Sequence, residues 1–243
     1  MSLQRFIFAT DLHGDMMEPS VVAALLAFCK EWKPHIKVFG GDLFDLRPLR
    51  RGCSSEDRAE SIRSDIAIGL QFMKDFSPQH YLRGNHCERL WLLAESGKGV
   101  ESDYAQSGAA DITERLRRLN CKMYPYHKRE GILTIGQLKF LHGFHCGITA
   151  TRMHAATYGA CIHGHTHTVD ESRVPGLERR VARSVGALCK LDQPYNSRMP
   201  STLRHAHGWA YGVINNKTGN FQVWQAEEVD KLWLLPKNLM QIG

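Results

Sequence analysis

Five short apolar runs in this chain each stop at polar side chains able to hold a metal ion. Gln4–Ala9 gives way to Asp11 and His13, and Ile36–Phe39 to Asp42 and Asp45. Gln79–Leu82 is followed by Asn85 and His86, Leu138–Leu141 by His142, and Ala160–His163 by His165 and His167. Apolar runs this short, bounded by Gly, Asp and Asn, read as strands. Between and after them, Val21–Trp32, Arg58–Phe76, Cys87–Ala94, Asp111–Leu119 and Thr149–Thr157 read as helices, and Gly97–Gly108 has the composition of a loop. Strands alternating with helices at the front predict βαβ units and an α/β fold. Cys121–Tyr124 and Ile132–Ile135 read as further strands. Trp209–Asn215 and Asn220–Gln225, joined by Asn216-Lys217-Thr218-Gly219, predict a terminal hairpin. Nothing marks a linker or repeat, so residues 1–243 are taken as one domain, with an excursion at about 169–200 and the hairpin at about 209–226.

In open α/β sheets, sites form beyond the carboxyl ends of the strands, where loops distant in sequence converge. The spacing of two in Asp11/His13 and His165/His167 puts both side chains on one side of an extended segment. The donors are oxygen and imidazole, a set that suits manganese, iron, zinc, cobalt or nickel. Two such cations need a carboxylate between them to lower their repulsion; Asp42, anionic and central in the order of the motifs, is the candidate bridge. A single Asp or His at a strand end is ordinarily a cap or a hydrogen-bonded loop residue. Five in succession are hard to obtain by accident.

Composition narrows the function less. The seven cysteines are odd in number and form no Cys-x-x-Cys, which speaks against a disulfide framework or a thiolate zinc site. A formal charge of +6 suits an anionic partner, a phosphate ester or a nucleic acid. No apolar run is long enough to cross a membrane, and the first apolar stretch is too short for a signal peptide, so a cytoplasmic protein with no membrane partner is expected.

In order and spacing these motifs resemble the calcineurin-like binuclear metallophosphoesterases. Asp11-Leu12-His13 matches that family's Asp-x-His, Gly41-Asp42-Leu43-Phe44-Asp45 its Gly-Asp-x-x-Asp, and Gly84-Asn85-His86 its Gly-Asn-His. His142-Gly143 matches the single-histidine motif and Gly164-His165-Thr166-His167 its Gly-His-x-His. The resemblance covers residues 11–167 and implies a four-layer sandwich of two mixed β-sheets flanked by helices. It implies two divalent ions, manganese first among the candidates. Asp11, His13, Asp42 and His167 would hold one, and Asp42, Asn85, His142 and His165 the other. It implies hydrolysis of phosphate monoesters or diesters by a metal-bridging hydroxide. His86 would be the general acid, and Asp45 would orient it and favour its imidazolium.

The departures matter as well. Cys87 stands where an acid usually follows the histidine, and Leu46-Arg47-Pro48 replaces the Arg-Gly of phosphoprotein phosphatases. A Cys87–His86 dyad is disfavoured because adjacent side chains diverge. His145 is a rival to His142. Arg47, Arg50 and Arg51 follow the Asp42 loop and are candidates to meet substrate phosphate. Arg115, Arg117 and Arg118, and Arg173, Arg179, Arg180 and Arg183, read more as solvated basic faces. Trp209, Tyr211 and Trp224 read as hairpin core rather than base-stacking platforms, and His205-Ala-His207 as a weak further pattern beside the substrate. A nuclease acting on DNA or RNA is one alternative function. A non-catalytic metal-binding scaffold is another, against which stands the presence of every ligand and the acid histidine.

Overall fold

Side-chain alternation along β1 (Leu3–Ala9) sets the layers of the molecule: Phe6 and Phe8 enter one core, Ile7 and Ala9 another. The computed structural model describes residues 3–192, 200–233 and 235. After β1 come α1 (Pro19–Trp32), β2 (Ile36–Phe39), α2 (Ser55–Ala59), α3 (Ile62–Phe76), β3 (His80–Leu82), α4 (Asn85–Ala94) and α5 (Val100–Arg118). Then follow β4 (Lys122–Tyr124), β5 (Leu133–Ile135), β6 (Leu138–Leu141), α6 (Ala150–Tyr158), β7 (Cys161–His163), β8 (Val169–Arg173) and β9 (Val181–Val185). β10 (Gly208–Asn215), β11 (Phe221–Val229) and β12 (Leu232–Trp233) complete the described chain.

Two mixed sheets result. The first runs β12-β11-β10-β1-β2-β3-β4 and the second β5-β6-β7-β9-β8. β1 to β4 are parallel, β10 lies antiparallel to β1, and β6, β7 and β9 are parallel to one another. Between the sheets lies a core of Phe6, Phe8, Val38 and Leu82 from one and Phe140, Ile162, Val181 and Val185 from the other. The opposite face of the first sheet (Ile7, Phe39, Tyr81) packs on α1, α3, α4 and α5, and that of the second (Cys161, Ala182) packs on α6. Helix, sheet, sheet, helix is the four-layer α/β arrangement expected. Strands buried on both faces explain why their sequences are apolar runs.

Three stretches differ from the expectation. Gly97–Gly108 is not a loop beyond Gly99, because Val100–Arg118 forms one helix. Its buried side Ser102, Ala105, Ala109, Ile112 and Leu116 follows a 3-4-3-4 spacing in residues mostly too small to register as an apolar stripe. Arg58–Phe76 is two helices, broken where Ser61 accepts the Arg63 amide and caps α3. In place of an excursion, residues 169–185 carry the antiparallel pair β8 and β9; residues 193–199 of that stretch lie outside those described. Arg183 hid β9 from view, since it interrupts the apolar run yet is buried against Glu171. Trp209 and Tyr211 are buried on the α1 side of the first sheet, where Tyr211 meets Phe28 and Trp32 edge-on, and they present no face for base stacking.

A buried histidine gives the fold an acid sensitivity. His154 on α6 accepts the Phe144 amide through Nε2 (2.9 Å) and donates Nδ1–H to the Ala150 carbonyl (2.9 Å), so its neutral form is the one that fits. Burial, followed by the His163 and His145 imidazoles, pushes its pKa down to about 2. An unfolded chain takes up this proton near pH 6.5 and the folded chain does not. The stabilisation is therefore complete above pH 6.5 and is lost as the pH falls toward 2. His154→Gln keeps an acceptor for the Phe144 amide and removes the titration. Urea midpoints at pH 7 and pH 5 should move closer together in that variant than in the parent; an unchanged gap would contradict the assignment.

Candidate metal centre

The parallel strands of both sheets deliver their carboxyl-end loops to one place. The Asp11 amide donates to the Gly41 carbonyl, His13 to Asp42, Gly14 to Leu43, and Gly164 to His142, at 2.7–2.9 Å. These bonds lace the loops after β1, β2, β6 and β7 together. Asp11, His13, Asp42, His165 and His167 all adopt left-handed backbone, with φ between 46° and 69°. Such a conformation costs a non-glycine residue about 1–3 kcal/mol, and its concentration at one site is characteristic of functional strain.

Each ligand candidate points inward. Asp42 accepts the His86 amide on Oδ1 at the start of α4 (2.8 Å), and its Oδ2 lies 3.2 Å from His142 Nε2. His142 donates Nδ1–H to the Gly40 carbonyl (2.9 Å), which leaves Nε2 facing Asp42 and the Asn85 Oδ1 (3.1 Å). Asp11 Oδ2 accepts from Thr10 Oγ1 and the His165 amide, both at 2.9 Å. Asp11 Oδ1 is buried with no hydrogen-bond partner among the described residues, and lies 3.3 Å from His167 Nε2. Asp45 Oδ1 receives Nδ1 of His86 at 2.5 Å and of His13 at 3.1 Å, so both rings turn their Nε2 atoms away from it.

Donor atoms of Asp11, His13 and Asp42 lie within 4.8 Å of one another, as do those of Asp42, His142 and His165. Asp42 belongs to both groups. Two glycines keep the space: a Cβ at Gly84 would sit 2.0 Å from Asp42 Oδ1, and one at Gly164 2.4 Å from Asp11 Oδ2. An orphaned carboxylate oxygen, inward-facing imidazole nitrogens and two trios sharing one aspartate fit a pair of divalent cations.

The electrostatics agree with that fit. Burial opposes charge on Asp11 and Asp42, yet the surrounding imidazoles hold both carboxyls well below the usual range. In return, and against burial, His13, His142 and His167 are raised, His167 to about 10 through Cys189 and Asp11. A cation taking these nitrogens displaces their protons, so metal affinity should rise with pH. His86 differs from expectation. Asp45 orients it, and Asp42 and Asp45 pull its pKa up, but burial outweighs them and the net shift is downward.

The proposed substrate arginines fare differently. Arg47 is drawn into ion pairs with Asp15, Asp45 and Glu60, so its guanidinium braces the Asp45 loop. Arg50 pairs with Asp57 (2.7 Å), and Arg51 is exposed. His145 lies against His154, outside the trios, which leaves His142 in place. Cys87 exchanges contacts with the Phe44 backbone, and burial pushes its thiol up to about 12, which disfavours the thiolate a nucleophile needs.

Three nearby residues, Arg89, Asp65 and Cys189, lie outside every pattern read from the sequence, and a fourth, His205, reads only as a weak one. Arg89, one α-helical turn beyond His86, donates to the Asp45 carbonyl (2.8 Å). Asp65 on α3 accepts the Asp45 and Leu46 amides, and burial pushes its carboxyl up to about 6. His205 lies 5.2 Å from His167, ring to ring. Cys189 joins His13 and His167 in a further trio of potential ligands.

No protein-family model and no curated protein sequence matches the chain. Among solved structures, it is similar to vacuolar protein sorting 29 from Cryptosporidium parvum (12% identity, 93% of this chain and 97% of that one, TM-score 0.42). It is also similar to YfcE, a phosphoesterase from E. coli (15% identity, 91% and 97%, TM-score 0.38). A third is a phosphatase from Mycoplasma pneumoniae (9% identity, 93% and 94%, TM-score 0.44). In the order of its motifs the chain resembles the calcineurin-like metallophosphoesterases.

Proposed function

We propose that the chain is a metal-dependent hydrolase of phosphate monoesters or diesters with a binuclear centre. Asp11, His13, Asp42 and His167 would hold one divalent cation, and Asp42, Asn85, His142 and His165 the other. The observation that carries this reading is the position of Asp42, a member of two converging donor groups delivered by different sheets. When bound, such cations supply Lewis acidity, lowering the pKa of water and neutralising phosphate oxygens.

The chain's own groups do the rest. Asp45 pins the His13 and His86 rings through Nδ1. His86 Nε2, 4.0 Å from Asp42 Oδ2, thereby lies beside the centre, where a protonated ring hands its proton to the departing oxygen. Arg47 and Arg89 fix Asp45 from its carboxylate and its carbonyl. Asn85 would contribute a neutral oxygen, leaving a cation there more electrophilic than a second carboxylate would.

Protein stripped with a chelator and reloaded with manganese should hydrolyse nitrophenyl phosphate or bis-nitrophenyl phosphate only after reloading. If single- or double-stranded nucleic acid is the preferred ester, its cleavage should fall steeply between about 50 and 200 mM salt, through counterion release. A reloaded protein inert toward every phosphate ester would overturn the reading.

A further inference from the structure

Cys189 lies outside all five motifs. It follows β9 and passes beneath the tight turn at Gly14–Met16, just after His13. Three backbone ties hold it there: an antiparallel bridge to Met17, the Lys190 amide donating to the Met16 carbonyl (2.8 Å), and His207 Nε2–H donating to the Cys189 carbonyl (3.1 Å). His207 is itself braced by Glu228 (2.7 Å). The residue is 1% exposed, and its sulfur lies within 4.8 Å of the ligand nitrogens of both His13 and His167.

A second observation marks the same spot. His13 Nε2 and His167 Nε2 face each other at 3.2 Å. The orphaned, fully buried Asp11 Oδ1 lies 3.8 Å from the first and 3.3 Å from the second. Two imidazole nitrogens turned on one another satisfy at most one hydrogen bond between them, and an unmet carboxylate oxygen beside them asks for a positive centre. A buried cysteine is often only a small apolar filler. This one has its sulfur beside two imidazole nitrogens, each within 4.8 Å.

We propose that Cys189 is a thiolate ligand of the cation held by Asp11, His13, Asp42 and His167, an inference that rests on the binuclear reading above. The thiol gives up its proton to solvent as the metal binds. Sulfur makes this position soft, so it selects zinc, iron or cobalt over manganese. The position built from Asp42, Asn85, His142 and His165 keeps only oxygen and nitrogen donors. The two cations would then differ in kind, and the centre would be heterometallic in a cell that supplies both sorts.

Cobalt(II) substitution tests this without reference to activity. The parent protein should show visible d–d bands together with a near-ultraviolet thiolate-to-cobalt charge-transfer band. Cys189→Ser and Cys189→Ala should keep the visible bands and lose the charge-transfer band. In titrations their zinc affinity at the tighter position should fall at least about tenfold, since losing even a ligand's supporting partner costs that much. Their manganese affinity should change less than about threefold, carboxylate and imidazole being what that ion prefers. Visible bands without charge transfer in the parent would overturn the role of Cys189 and leave the binuclear reading standing, as would unchanged zinc affinity in both variants. No cobalt bands at all would overturn both.

Discussion

Asp42→Asn should lose at least one of two bound cations and, with it, on the order of a thousandfold in turnover. The substitution is nearly isosteric, so it tests charge. Asp42 Oδ1 accepts the His86 amide, a bond that an asparagine oxygen can keep. What changes is the Oδ2 side, 3.2 Å from His142 Nε2, where an amide NH₂ would replace an anion between the two ligand sets. Without that anion the two proposed cations would repel one another, and the several kcal/mol of Lewis-acid stabilisation they would give together would be forfeited; each 1.36 kcal/mol is about tenfold in rate. Metal content after gel filtration and kcat/KM on a diester read the two losses separately. Folding should survive, because a buried carboxylate is being replaced by a neutral group of the same shape. Full activity with two ions retained would refute the shared-carboxylate assignment.

His86→Asn should cost about 10²–10⁴-fold on esters with a poor leaving group and far less on nitrophenyl esters, whose leaving oxygen needs no proton. Metal content should stay near that of the parent if, as proposed, His86 serves the leaving group and not the cations. The pH dependence follows from burial. The His86 pKa lies below the ordinary 6.5, so the protonated donor dominates only in acid. On alkyl esters the parent's rate should therefore fall as the pH rises through a value below 6.5, and the variant should lack that limb. An equal loss on both classes of ester would reassign His86 to positioning. Loss of metal would make it a ligand.

The parts that could be read in advance were those in which strand and site coincide. β1, β2, β3, β6 and β7 are apolar on both faces and end in Asp, Asn or His, so strand ends and ligand candidates were visible in the same few residues. β9 failed this test: Arg183 and Ser184 interrupt its pattern, and the ion pair with Glu171 that makes a buried arginine tolerable is a long-range fact. With the strand unseen, Cys189 beyond its end was unseen too. Helix α5 was obscured by Ser102, Ala105 and Ala109, which sit on its buried side but are too small to register as an apolar stripe. Arg47 illustrates the other difficulty. A basic residue after a metal-motif loop reads as a candidate phosphate clamp, and only the fold reveals that Asp15 and Glu60, from other elements, pair with it.

Anomalous diffraction from crystals grown with manganese should show two peaks with Asp42 between them, as the shared-carboxylate arrangement requires. One lies among Asp11, His13 and His167, and the other among Asn85, His142 and His165. A single peak, or peaks that do not touch Asp42, would contradict it.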